Sequence, residues 1–456
     1  MRTSLGTITA GALALSALLL GEAPSQETPS HETPSREKPP HATAWHQWRG
    51  PLSTGEAPNA EPPIEWSETE NVRWKVALPG KGHSTPIVTA GRVYVTAAFP
   101  IGDAVEPRHD SAAGSHHGVA VTRRHEYAVI AVDRASGTID WQRIVHRELP
   151  HEGGHLTGSY ASASPVTDGE RVFAFFGSRG LYALSLDGEI EWQLDFGDMS
   201  TKHAHGEGAS PALHEDTLIV NWDHEGPSFL VALDKRTGRE RWRAARDEVS
   251  SWATPIVVEH EGRAQIVVSG TKRIRAYDLE SGEVIWEWGG LSANVVASPV
   301  AGSGMVFAGS SYDWQALVAI RLAGSKGDVT GTSQVAWTRD RLTPYVPSPL
   351  LYQGQLYYLR HYQGILSRVE AESGAEPSGP FRLPAVRDVY ASPVAAAGRI
   401  YITDRQGVTL VMTAAERPEF LAVNRLDDSF SASAAIAGRE IFLRGEAHLY
   451  AISDDT

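Results

Sequence analysis

The sequence contains no cysteine among its 456 residues. That excludes disulfides, thiolate metal ligands and cysteine nucleophiles, and leads us to expect no lipid anchor of the cysteine type. Beyond its first 23 residues the chain also lacks a long apolar run, so no later segment reads as a membrane-crossing helix. Basic residues are in the minority, with 41 Lys and Arg against 55 Asp and Glu and a formal charge of −14. A general nucleic-acid surface and attraction to anionic lipid headgroups both need a basic face, so both are disfavoured. What remains, 41% apolar and 21% charged residues, is the composition of a globular chain that can bury a large core.

Arg2 followed by the apolar run Ile8 to Leu20 reads as an export signal occupying residues 1–23. Residues 24–44, rich in Pro, Ser, Thr and Glu, hold too little apolar surface to offset ordering entropy and read as a disordered linker. The expected product is a soluble, monomeric protein of the periplasm or cell envelope.

From Trp45 the composition changes and a repeat emerges. A Ser or Thr followed by Pro occurs at Thr85, Ser164, Ser210, Thr254, Ser298, Ser348 and Ser392, with a degenerate copy at Ser433-Ala434. Successive copies are 79, 46, 44, 44, 50, 44 and 41 residues apart, the length of one four-stranded propeller blade. Each repeat supplies an inner strand A after the Pro, a strand B, a strand C ending near an Asp such as Asp234, a Gly turn, and a strand D bearing a Trp such as Trp242. The excess of the first spacing marks an insertion at 99–126, read as a surface loop between strands B and C.

The last repeat stops after strand C, whereas Val72 to Val76 is a strand-D sequence lying ahead of the first strand A. The simplest closure gives the eighth blade its outer strand from the N-terminal side, leaving no open sheet edge. We therefore expect an all-β, eight-bladed β-propeller over 45–456.

The pattern Ala-x-Asp-x-x-Thr/Ser-Gly-x-x-x-Trp, at Ala232–Trp242 and with Tyr before Asp at Ala276–Trp286, resembles the tryptophan-docking repeat of quinoprotein alcohol dehydrogenases. The same repeat occurs in the scaffold lipoprotein of outer-membrane β-barrel assembly and in exported bacterial propellers termed pyrroloquinoline-quinone-like. Trp48-Arg49-Gly50-Pro51, Asn294-Val295, Thr343 to Pro349, and Arg444 with His448-Leu449-Tyr450 resemble that last group most. The resemblance implies the propeller. It does not carry over the dehydrogenases' adjacent cysteine pair or the scaffold's anchoring cysteine, both absent here.

In such a fold the D-to-A and B-to-C connections share one face, and these are the long, polar and aromatic ones. Residues near the channel on that face are the candidate ligand-binding set: His205, Glu207, Trp252, Lys272, Arg273, Asn294, Tyr345, Asp388 and Tyr390. His203, His205 and His224 are weak metal-ligand candidates, since histidines at i and i+2 of an extended segment point the same way. No catalytic residue stands out. The leading expectation is a non-catalytic scaffold for an envelope protein or a ligand. The alternatives are a pyrroloquinoline-quinone oxidoreductase with a divalent cation such as calcium, and recognition of a carbohydrate or other small ligand at the channel mouth.

Overall fold

A computed structural model describes residues 43–108 and 117–454. The export signal at 1–23, almost all of the 24–44 linker, and His109 and His116 of the insertion lie outside the described residues. Eight antiparallel sheets of four principal strands make the blades, and the expected propeller is what the chain adopts. In blade 3 strands A to D are Ala212–His214, Thr217–Trp222, Ser228–Asp234 and Glu240–Arg246. In blade 8 strands A to C are Ala435–Ala437, Glu440–Arg444 and His448–Ile452, and strand D is Val72–Ala77. The two ends of the chain thus close the ring within one sheet, Val76 opposite Leu449.

The docking motif has a physical reading residue by residue. Its Ala pairs across the ladder with its Trp, Ala232 opposite Trp242, and only a small side chain leaves room there; a bulge follows at once between Ala232 and Leu233. Its Asp caps the turn, with Asp234 Oδ1 accepting from Thr237 N and Oγ1. Its Gly receives the Trp of the preceding blade. Gly282 has φ +73°, and a Cβ there would lie 2.5 Å from the Trp242 ring, while Trp242 Nε1 donates to Leu279 O at 2.9 Å. Trp74, Trp141, Trp192 and Trp337 donate in the same way to Arg134, Leu186, Lys235 and Ala371.

Where the motif is missing, other side chains fill the joint. Blade 6 has no Trp, and Tyr357 from its strand B donates to Ala414 O of blade 7. Between blades 7 and 8 the ring comes from the N-terminal segment: Trp66 stacks on Tyr401 and is fixed by Asn424. Trp286 faces a long C-to-D connection in blade 5 instead of a Gly turn. It donates within its own blade to Gln265, and Gly327–Asp328 of that connection adds a short parallel strand to blade 4.

At the channel, every Ser or Thr of the repeat joins its neighbour. The backbone N–H of Thr85, Ser164, Ser210, Thr254, Ser298, Ser348 and Ser392 each donates to the hydroxyl of the following copy at 2.8–2.9 Å, ending on Ser433 Oγ. At the seam between blades 8 and 1, Arg444 from strand B of blade 8 donates to Ser84 Oγ and Thr96 O.

Residues 45–61 cross the channel on the face of the A-to-B turns. Trp45 exchanges backbone hydrogen bonds with Val88 of blade 1, Thr167 of blade 2 donates to His46 O, and Leu351, Ala395 and Gly438 anchor the far end on blades 6 to 8. The pin is Arg49, fully buried, which donates to Pro349 O, Pro393 O and Thr54 O. Burial pulls its pKa down to about 9.

The insertion at 99–126 departs from the loop reading. Strands B and C of blade 1 continue into it as a ladder running to Ile101 opposite Arg124, and Gly118–Val119 pairs with Gly154–His155. Phe99 packs against the core and Val121 is buried there, anchors that the polar, His-rich composition of the segment masks in the sequence.

Three outcomes test this packing and the ring closure. Trp242→Ala costs about 3–5 kcal/mol in urea unfolding, and Gly282→Ala is also destabilising, but the double variant costs clearly less than their sum because one joint is lost once. Additive costs would separate the two residues. Trp252→Ala, at the channel mouth, costs much less than Trp242→Ala; an equal loss would place Trp252 in the core. Removing Val72–Ala77 strips blade 8 of its outer strand, and size-exclusion chromatography is expected to show self-association through the bared edge. A monomer with an unchanged melting temperature would contradict the closure.

Candidate functional site

An extended chain places residues two apart on one side. Each residue two positions before the ring Ser or Thr therefore faces the channel: His83, Ser162, Gly208, Trp252, Val296, Val346, Tyr390 and Ser431 line a cavity of roughly 740 Å³ on the D-to-A and B-to-C face. Trp48, from the segment crossing the opposite face, lines it as well.

Six of the nine sequence candidates meet in this lining: His205, Glu207, Trp252, Asn294, Tyr345 and Tyr390. The other three lie outside it, each for a visible reason. Glu248 holds the backbone amides of Lys272 and Arg273, and the Arg273 guanidinium pairs with Asp328 at 3.0 Å. Asp388 is paired with Arg405 at 2.9 Å.

The lining divides into two walls. Over blades 5 to 7 the rings form a chain: Tyr312 stacks on Tyr345 at 6.0 Å, Tyr345 meets His361 at 4.5 Å, His361 meets Tyr362 at 4.6 Å, and Tyr362 meets Tyr390 at 6.0 Å. Burial pushes the Tyr345 phenol up to about 12. Over blades 1 to 3 the wall is imidazole, with His155 between His117 at 5.7 Å and His205 at 4.8 Å. Trp252 joins this side through Nε1, which donates to Gly206 O at 2.7 Å.

The weak metal candidates do not form one site. His203 and His205 sit on a single 3-10 turn at Lys202–Ala204, His203 with φ +58°, and not on the extended segment that the sequence suggested. His224 is buried elsewhere, its Nδ1 accepting from Ser200 N. Asp223, which could have joined them, holds Arg246 through two bonds of 2.7 and 2.9 Å. Among the described residues no three His, Asp or Glu side chains come together as a metal site.

Charge at the mouth is scarce. Among the described residues no Lys or Arg is in the lining, although Lys202 lies over the Tyr312 ring and Arg405 over the Tyr390 ring. The lining carboxylate Glu207 accepts from Ser178 and from Arg179 at 3.2 Å. His83 is held neutral: desolvation, reinforced by Lys81, Arg444 and Arg405, pushes its pKa down to about 3. Several lining residues, among them Trp48, His117, His155 and Tyr312, were not singled out by the sequence as ligand contacts. The signal that could have found part of the set is the column of residues two before each ring Ser or Thr.

The sequence profile of the family described as "Outer membrane protein assembly factor BamB" matches residues 64–207, 99–259 and 228–456. The crossing segment 45–61 thus lies ahead of the matched region. A protein of that name from Bordetella pertussis is 30% identical over 233 residues, which cover 48% of this chain and 55% of the relative. Among solved structures, BamB from Moraxella catarrhalis superposes with a TM-score of 0.51 at 11% identity, covering 78% of this chain and 98% of that one. A europium-containing methanol dehydrogenase gives 0.63 at 10% identity, covering 90% and 98%. Quinohemoprotein alcohol dehydrogenase ADHIIG from Pseudomonas putida HK5 gives 0.57 at 10%, covering 91% and 80%. At such identities the structural likenesses speak for the fold alone. The profile, which spans the propeller from residue 64 to the last residue, decides the family: the chain belongs to that of outer membrane protein assembly factor BamB.

Proposed function

We propose that this protein is a non-catalytic, protein-binding scaffold of the cell envelope, serving outer-membrane protein assembly through its D-to-A and B-to-C face. The observation that carries the reading, beyond family membership, is where apolar surface is left uncovered. Of the eleven exposed large apolar side chains among the described residues, six stand on connections of that face: Val105, Val119, Leu156 at 62%, Tyr312, Trp314 at 54% and Tyr362. Exposed apolar side chains gathered around one rim mark an interaction surface rather than an ordinary solvated one. Among the described residues no helix is long and apolar enough to cross a membrane.

Quinone chemistry has weaker support from the residues at the mouth. Pyrroloquinoline quinone is a planar polyanion and works beside a cation; holding both calls for basic groups around the cofactor and spare carboxylates for the cation. Among the described residues the lining offers no Lys or Arg, and Glu207 is already bound to Arg179. These residues do not fit the cofactor.

The reading is tested in cells with a photo-crosslinking residue at position 156 or 314 and, as control, at 284 on the outer rim of blade 4. Crosslinks to a component of outer-membrane protein assembly are expected from 156 and 314 and not from 284, and loss of the protein is expected to lower outer-membrane β-barrel levels. Crosslinks from 284 alone, or unchanged β-barrel levels, would overturn it. In vitro, pyrroloquinoline quinone with calcium or a lanthanide is expected to give no alcohol or sugar oxidation above background, followed by dye reduction.

A further inference from the structure

We propose that the channel-mouth cavity binds a neutral saccharide. The cavity shares Leu156, Tyr312 and Tyr362 with the exposed rim, but the inference does not rest on the scaffold reading. Three observations point to it. The first is unfinished hydrogen bonding: His83 Nε2, Asn294 Oδ1 and Ser431 Oγ, all on lining residues, are buried without a partner. Asn294 is only 4% exposed, and a buried acceptor left unpaired costs free energy that a ligand hydroxyl would recover. A hydroxyl both donates and accepts, so a polyol meets an amide oxygen, a serine hydroxyl and either imidazole tautomer equally well.

The second observation is the aromatic wall. Tyr345 and Tyr390 line the cavity as members of a chain of stacked and tilted rings, with Trp252 also in the lining. Ring faces bury the apolar C–H faces of a sugar while the polar edges reach its hydroxyls. The third is electrical. Among the described residues the lining itself holds no Lys or Arg. The cations that adjoin it include Lys202 over the Tyr312 ring and Arg405 over the Tyr390 ring, Arg405 being already paired with Asp388, and the lining carboxylate Glu207 is committed to Arg179. A volume of roughly 740 Å³ is ample for an oligosaccharide of two or three rings and lies within the usual range of ligand pockets.

The test is calorimetric titration of the full chain with maltotriose, cellotriose and N,N′-diacetylchitobiose, alongside inorganic phosphate, citrate and pyrroloquinoline quinone as anionic probes. At least one saccharide is expected to bind saturably and the anions not at all. Tyr345→Ala and Asn294→Ala are each expected to weaken that binding about tenfold or more, whereas Trp314→Asp, on the rim, leaves it unchanged. Circular dichroism and thermal melting establish that each variant is folded. If Tyr345→Ala does not fold, Tyr390→Ala takes its place, read by the same titration. No binding of any of the three saccharides overturns the proposal. So does saccharide binding that survives both ring and Asn294 substitutions, or an anion that binds more tightly than every saccharide. Loss of outer-membrane β-barrel assembly in cells carrying Trp314→Asp, with saccharide binding intact, concerns the scaffold reading alone.

Discussion

The structure depends on one repeated hydrogen bond, the donation of each inner-strand amide to the hydroxyl of the next repeat's Ser or Thr. Blades are held together mostly by apolar side chains, and apolar contact alone sets no register between neighbouring sheets. The bond supplies it, because a shift by one residue would turn each hydroxyl to the other side of its strand. The sequence separations across the seven bonds, 79, 46, 44, 44, 50, 44 and 41 residues, are the repeat spacings themselves. The periodicity in the sequence is therefore the imprint of this ring. It also explains why the copy at Ser433 could lose its Pro and keep its Ser: Ser433 Oγ is what Ser392 N requires.

Much of the fold was open to reading because its contacts recur at fixed offsets. Trp242, Gly282 and Asp234 each do one job that only a few residue types can do, and they do it again in neighbouring blades. The joints that break the pattern were not open to reading. Tyr357 replaces a docking Trp from a different strand, and Trp66 fills the gap beside Tyr401 from several hundred residues away in sequence. Nor does anything periodic announce that residues 45–61 cross the channel. Arg49 looks like a solvated surface charge until the carbonyls of Pro349 and Pro393 converge on it. The Trp45 to Pro51 stretch is held by backbone bonds to strands of several blades, which leave no trace in its own side-chain pattern.

The candidate site was half legible for a related reason. The column two before each ring residue is fixed by strand geometry, so Trp252 and Tyr390 could be placed at the mouth from sequence. Asn294 and Tyr345 came from the preceding connections by the same logic. The charged candidates behaved differently. Whether Glu207, Lys272, Arg273 or Asp388 faces a ligand depends on whether a partner elsewhere takes it first, and Arg179 takes Glu207 from 28 residues upstream, while Arg405 takes Asp388 from 17 downstream.

That competition shapes the chemistry of the whole face. The connections of blades 2 to 4 and the strand ends beside them carry Arg179 with Glu148 of blade 1 and Glu207, Arg246 with Asp223, and Arg275 with Asp247, Glu248 and Glu287. Arg246 and Asp223 are wholly buried; desolvation works against the guanidinium, but the adjacent carboxylate outweighs it and keeps the charge in place. Long connections over a propeller have few apolar contacts to fix them, and these paired charges, with hydroxyls such as Ser251 completing the set, fix them instead. The consequence reaches the channel. An acidic chain commits the charges around its mouth to one another, and what remains facing the cavity is hydroxyl, amide, imidazole and ring. Such a lining discriminates by shape and hydrogen bonding and has little means of discriminating by charge, which is why the uncovered apolar rim and the neutral cavity are suited to different kinds of partner.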